Sequence, residues 1–533
     1  MLVKVFYKYS PRMLLASIVI GIISGISHSL VIPVILKAIN GDELKTAIIN
    51  LSYLQVFILL FLFILLSKIL SQVILNNISL GVTSSLRKRL YRRINQAEIK
   101  KIESVGVSKL NQALNTDVQR IVSGANLIPD ICVQIATLIG LFSYLAYINT
   151  DIFFLVFIPL VISSVIFQFP IKFGGKLMTE SRLEMDQLQD GFRGLILGAK
   201  ELKLNSEKSD FFIEEGLYKK ETKVVDREKK ANYIFQFNRG YAEFIFFTII
   251  ATAIFYFLNA ESFEINEIIG VMMVLIYISG PVSYLVNVAS EVSKANVSLR
   301  KYYEIIDMLP GEMASNQYQD VQSWKSIKFV NVSFQYTKGN FSIRNINCQI
   351  NRNEVVFIVG GNGSGKSTFS KILSLHNYPN IGSIFFDDVE VTSSNIKSYR
   401  KLISCIYSDY YLFKELNFQP TEAKIKEFKV LIEKLGLKGK VDLEGNKFST
   451  LKLSDGQRRR LALIIALMEE RDLYIFDEWA ADQDPEFKER FYKDIIPELK
   501  LSGKTVILIS HDDRYFYLAD KIFKFESGVL INY

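Results

Sequence analysis

The chain has 533 residues, enough for roughly two to four domains, and 49% of them are hydrophobic, including 39 Phe. With a positive mean hydropathy it is too apolar for an average soluble protein. Its net charge of +8 first suggests nucleic acid, but the placement of the charges excludes that partner. Its three cysteines (Cys132, Cys348, Cys405) are scattered without a CxxC pair, which excludes a disulfide framework and a structural zinc.

Met1 to Arg12 is short and basic, and the apolar run behind it is too long for the core of a cleavable signal. Six stretches then meet the length of about 20 apolar residues that a bilayer demands. They are Met13–Ile39, Leu51–Leu75, Val122–Ile148, Ile152–Phe173, Phe244–Leu258 with an N-terminal extension, and Ile265–Val288. Buried helices of a soluble domain would be shorter and would keep a polar face. Lys and Arg collect after span two (Arg87, Lys88, Arg89, Arg92, Arg93, Lys100, Lys101) and again in the long connection after span four. The loops after spans three and five carry none, and the loop after span one carries only Lys45. The positive-inside rule therefore places the N-terminus, both long connections and everything after span six in the cytoplasm. This accounts for the net charge without nucleic acid.

Both long connections are helical in composition, with no proline between Pro170 and Pro281, so spans two to five should continue as helices below the membrane. Turns near Val105–Asp117 and Gly198–Lys208 would form their tips. Pro159, Gly280 and Pro281 should kink spans four and six. His28, Gln134, Gln168 and Glu243 are polar groups within or beside the spans, where such groups face a cavity or one another.

Pro310-Gly311 breaks the helical pattern. The chain thus divides into a six-span domain over 1–310, a linker over 311–326 and a second domain over 327–533. In the last, short apolar strands alternate with helical patterns, the mark of an α/β domain with a largely parallel sheet. Glu354 to Val359 is an apolar run of strand length, and Gly360 to Thr368 reads G-G-N-G-S-G-K-S-T ahead of a helix. This is the phosphate-binding loop G-x-x-x-x-G-K-[ST] in the strand-to-helix context that gives it meaning. Gly360, Asn362, Gly363, Ser364, Gly365 and Thr368 would wrap the phosphates, Lys366 would reach the β- and γ-phosphates, and Ser367 would ligate Mg²⁺. A second apolar strand, Leu473 to Phe476, ends in Asp477 and Glu478. Asp477 would hold Mg²⁺ and Glu478 would polarise the attacking water. Leu453-Ser454-Asp455-Gly456-Gln457 precedes a further helix and offers Ser454, Gly456 and Gln457 as another phosphate-binding surface.

From Leu453-Ser454-Asp455-Gly456-Gln457 onward the chain resembles the ATP-binding cassette superfamily, and the likeness extends along its whole length in the half-size exporter arrangement. The resemblance implies further roles. His511, after the strand Val506 to Ile509 and Ser510, would sense the γ-phosphate; Tyr336 would stack on adenine; Asp484 lies in the loop that meets the other subunit. It also implies a homodimer, with each ATP held between the phosphate loop of one chain and Leu453–Gln457 of the other. Phe476 to Pro485, Ser510 to Phe516 and Gly198 to Lys208 look like the bacterial cyclic-peptide and siderophore-precursor exporters.

Three departures limit the likeness. Ser408, followed by Asp409, replaces the usual Gln, so the metal would be met by a shorter side chain. Asp455 replaces a Gly of the signature. The stretch from Ser408 to Leu453 is short, which suggests a trimmed helical subdomain. The first span begins almost at once, so an N-terminal peptidase domain and leader processing are not expected. The expected protein is an ATP- and Mg²⁺-dependent exporter of a small peptide-like molecule in the bacterial inner membrane, with its cassette in the cytoplasm. A lipid flippase or multidrug exporter of the same architecture is the alternative.

Overall fold

The computed structural model describes residues 2–39, 52–259, 265–311, 321, 323–336 and 341–532. Lys45, the loop at 260–264 and most of the expected linker (312–320 and 322) lie outside the described residues. The chain divides into two compact units, one of 1–97 and 101–310 and one of 98–100 and 311–533.

The first unit, over its described residues, is built of helices. Among the described residues, six stretches are long and apolar enough to span a membrane: Pro11–Ile39, Tyr53–Gln96, Val107–Ile148, Thr150–Leu197, Ser206–Tyr256 and Glu267–Met308. The helix Tyr53–Gln96 runs unbroken for 44 residues. At 1.5 Å per residue it is about 66 Å long, roughly twice the hydrocarbon thickness. Its first half exposes Leu54, Phe61 and Leu66 while its last turns carry Arg89, Arg92 and Arg93. One element therefore serves both lipid and water. The fifth span follows the same plan: Lys219–Asn259 is one helix whose apolar C-terminal third is the short stretch found in the sequence. Its neighbour Glu243 is exposed and pairs with Arg239 at 3.5 Å.

Helix breaks fall at Leu30, at Asn126-Leu127 and at Phe167, each shortly before a proline (Pro33, Pro129, Pro170). A proline cannot donate to the carbonyl four residues earlier, and the turn before it opens. Pro159 and Pro281, where kinks were expected, lie inside the unbroken helices Thr150–Ile166 and Ile265–Met308. Some polar groups within the spans find one another. His28 Nδ1 lies 2.7 Å from the Tyr277 hydroxyl, and Thr137 donates to the Gly25 carbonyl at 3.1 Å. Gly25 is where two helices touch: a Cβ there would lie 2.4 Å from the Val133 carbonyl oxygen. Gln134 is half-buried and Gln168 exposed.

The second unit is built on a six-stranded sheet in the order Val529–Asn532, Lys521–Glu526, Val355–Gly360, Thr505–Ile509, Leu473–Asp477, Ile403–Ile406. All neighbours are parallel except the first pair. The three central strands are buried almost throughout, as a parallel sheet covered on both faces requires. Alternation assigns their side chains to two cores. Val355 and Phe357 pack with Phe491 and Tyr492 on one face, whereas Val356 and Ile358 pack with Phe369 and Ile372 on the other. A four-stranded antiparallel sheet (Ser342–Asn351, Ser326–Gln335, Ile381–Phe386, Val389–Glu390) covers the second face. Trp324, inside the stretch read as linker, is buried there with its ring 5.9 Å from Phe386. Between Ser408 and Leu453 a single helix forms, the 13-residue Glu422–Lys434.

Candidate functional site

The carboxyl ends of the central strands converge on one edge of the sheet, where open α/β sheets place their ligands. Strand Val355–Gly360 leads through a tight loop into helix Lys366–Leu373. The loop requires φ of +147° at Gly360 and +114° at Gly365. A Cβ would fall 2.3 Å from the Phe525 carbonyl oxygen at Gly360 and 2.8 Å from Ile343 at Gly365. Only glycine fits either place. Lys366 donates from Nζ to the carbonyls of Gly360 (2.8 Å) and Gly361 (3.0 Å), so its ammonium bridges the loop it belongs to. Burial lowers its pKa, and the charges of Glu478 and Asp477 oppose that change. A cavity of about 330 Å³ lies on this loop, bounded by Asn362 to Thr368, Glu478 and Phe341.

Asp477 ends the neighbouring strand and is 2% exposed. Burial, and then the negative charges of Glu478 and Asp409, raise its carboxyl to about 6 against the pull of Lys366 and a hydrogen bond from Ser367. Its Oδ1 is buried and has no hydrogen-bond partner among the described residues. A buried carboxylate oxygen with an acid beside it is a place where a cation would be welcome. Glu478 adopts a left-handed backbone (φ +53°), a costly conformation for a residue with a Cβ. Its N–H donates to the Ile509 carbonyl at 3.1 Å, which fixes the turn to the next strand. The carboxylate borders the phosphate-loop cavity and lies 3.5 Å from His511 Nε2.

Ser454 caps the helix Asp455–Met468. Its hydroxyl accepts from the Gln457 N–H (3.4 Å) and Gln457 Oε1 accepts from the Ser454 N–H (3.1 Å), a reciprocal capping box. Asp455 sits in the first turn, where a negative charge suits the helix dipole. This helix is tied to the segment after Glu478. Arg459 donates to the Glu478 carbonyl at 2.6 Å and pairs with Asp482 at 2.5 Å, while Gln483 Nε2 donates to the Gly456 carbonyl at 3.2 Å. Asp484 caps the helix Pro485–Arg490 and lies 3.7 Å from Arg460.

The structure thus brings the phosphate loop, Asp477, Glu478 and His511 together. Ser454, Gly456 and Gln457 are not among the residues lining the phosphate-loop cavity of their own chain. Ser408 and Asp409 are exposed beyond the strand Ile403–Ile406, with Asp409 close enough to act on Asp477. Tyr336 follows the strand Ser326–Gln335 and meets Phe334 edge-on at 5.1 Å rather than the cavity. Phe341 borders the cavity instead. It lies in no motif, and its position a few residues past Tyr336 was the only available signal.

The ABC transporter family model matches residues 343–481, from ahead of the phosphate loop to just past Glu478. Over 218 residues the chain is 33% identical to the energy-coupling factor transporter ATP-binding protein EcfA1 of Mycoplasmoides gallisepticum, covering 38% of this chain and 76% of that one. The chain belongs to the ABC transporter family. This transporter is also similar along its whole length to the ATP-binding protein SyrD of Pseudomonas syringae pv. syringae. The two are 29% identical over 552 residues, 100% of this chain and 96% of that one. Its fold matches a bacterial Atm1-family ABC exporter with ATP bound, with a TM-score of 0.79 at 17% identity over 98% of this transporter and 94% of that chain. Six spans and one cassette in this fold make the transporter a half-size, ATP-hydrolysing exporter and a multi-pass membrane protein.

Proposed function

We propose that this ABC transporter exports a small, compact, peptide-like molecule, such as a cyclic peptide or a siderophore precursor, across a bacterial inner membrane as a homodimer. The observation that carries the reading is the union in one chain of exporter-fold spans with segments Phe476 to Pro485 and Ser510 to Phe516, which resemble that exporter group. The membrane unit supports it with isolated polar contacts such as His28 with Tyr277, set among apolar walls. Such a lining suits a molecule that hides its own backbone polar groups.

In this reading each residue at the cassette edge has a role. The N–H groups of Gly360 to Thr368 and the Lys366 ammonium hold the phosphates of ATP, while Tyr336 or Phe341 meets the base. Ser367 and Asp477 would hold Mg²⁺, with Ser408 or Asp409 completing the set. The orphaned Asp477 Oδ1 and the donor chemistry fit that ion. When bound, Mg²⁺ supplies charge neutralisation on the phosphates. Glu478 orients and polarises the water, and His511 lies beside it. Because Ser454, Gly456 and Gln457 do not line their own chain's cavity, a second copy is required to bring them onto the nucleotide. The test is ATPase activity in lipid nanodiscs with cyclic peptides, siderophores and a panel of lipids. Stimulation by a peptide or siderophore supports the reading. Stimulation by phospholipid or a lipid-linked sugar alone would replace it with a flippase.

A further inference from the structure

The helices of the membrane unit border a cavity of about 330 Å³, lined by charged, polar and apolar side chains, that the export reading leaves unused. Its walls come from spans three to six: Arg120 on the third, Arg182 on the fourth, Glu228 on the fifth and Lys294 on the sixth. Three features set it apart.

Arg182 is 6% exposed, donates from Nη1 to the Ser298 hydroxyl at 3.0 Å and pairs through Nη2 with Asp117. Its Nε is also buried and has no hydrogen-bond partner among the described residues. Buried donors are nearly always satisfied, and an orphaned one asks what satisfies it. The wall beside it is where the third span leaves α-helical geometry. Ala113–Asp117 is a π-helical turn that places Thr116 on the cavity and Asp117 on Arg182. Single π turns within helices concentrate at functional sites. The charge is also unbalanced. Asp117 neutralises Arg182 and Glu291 holds Lys294 at 2.7 Å, but Arg120 forms no ion pair among the described residues. Glu228, the one acid on the wall among the described residues, accepts from the Ser181 hydroxyl at 3.5 Å. Met178 and Phe235 supply apolar surface between the charges.

We propose that this cavity binds a carboxylate of the transported molecule. The carboxylate takes the free Nε–H of Arg182 and the charge of Arg120, Glu228 accepts an N–H from the same ligand, and Met178 and Phe235 cover its apolar part. The volume lies near the lower end for small-ligand pockets, so it accommodates a carboxylate-bearing arm rather than a whole cyclic peptide. The inference rests on the export reading and narrows it to cargo that carries a free acid.

The test uses the full chain in nanodiscs without nucleotide, and fluorescence polarisation with a BODIPY-labelled amphipathic tetrapeptide acid and its C-terminal amide. Empty nanodiscs correct for partition into lipid. The acid should bind at least about tenfold tighter than the amide, the range of a charge-assisted hydrogen bond. Arg182→Lys keeps the positive charge opposite Asp117 but removes the Nε–H, and Arg120→Gln removes the unpaired charge. Each should reduce the preference for the acid to less than about threefold. Melting curves report folding, and if Arg182→Lys does not fold, Arg120→Gln decides alone. Equal binding of acid and amide to the wild type, or a preference that survives both substitutions, would overturn the site. Acid preference without peptide export would leave the site standing and remove the export reading. Export without acid preference would do the reverse.

Discussion

Asp477→Asn should stabilise the nucleotide-free protein while abolishing its ATPase activity. The Asp477 carboxyl in the fold gives up its proton near pH 6 rather than near 3.8. Between those values the native state binds more protons than the unfolded chain, so stability falls as pH rises and is lowest above 6. At about 1.4 kcal/mol per pH unit the ionised carboxylate costs about 3 kcal/mol at pH 7.5. Asn has similar shape and is neutral at every pH, so it removes most of that cost. For a domain of this size the melting transition should rise by up to roughly 10 °C. The assay is thermal unfolding of the full-length protein in detergent, without nucleotide or Mg²⁺, from pH 4 to 8. The gap between variant and wild type should be widest above pH 6 and close toward pH 4. A well-folded variant that melts at or below the wild-type temperature at pH 7.5 would refute the argument that burial and neighbouring acids strain this carboxylate.

Further expectations concern the same edge of the sheet. Glu478→Gln should bind ATP, accumulate as a closed dimer and lose roughly 10²- to 10⁴-fold of turnover; near-normal hydrolysis by purified variant would remove Glu478 from its proposed role. Lys366→Ala should act earlier, at nucleotide binding, and labelled ATP retained at wild-type affinity would contradict that. Because the Asp409 charge helps raise Asp477, Asp409→Asn should move the acid limb of Mg²⁺-dependent hydrolysis to lower pH; an unmoved limb would mean Asp409 does not act on Asp477. Ser408→Ala should raise the Mg²⁺ needed for half-maximal activity, and an unchanged requirement would remove Ser408 from the metal set.

The nucleotide edge was largely legible because it is local. An apolar strand followed by G-x-x-x-x-G-K-S, and another followed by Asp-Glu, identify themselves without knowledge of what packs beside them. The spans were legible for the same reason, since apolar length is a property of the segment alone. What the sequence concealed depends on neighbours far along the chain. Helices break ahead of Pro33, Pro129 and Pro170, whereas those through Pro159 and Pro281 stay unbroken. Whether a proline opens a helix depends on how surrounding helices satisfy the freed carbonyl, and that is not written near the proline. Trp324 read as part of a polar linker because its partner, Phe386, lies some sixty residues away. Arg459, which ties the Ser454–Gln457 helix to the backbone of Glu478, carries no motif at all.

The central claim is ATP-driven export of a compact peptide-like molecule, and it is tested most directly in inside-out vesicles holding the purified transporter. The account predicts that a labelled cyclic peptide or siderophore precursor accumulates inside when Mg²⁺-ATP is added outside, and does not with Glu478→Gln. Uptake that is the same with and without ATP, or ATP-dependent movement of phospholipid with no peptide taken up, would contradict it.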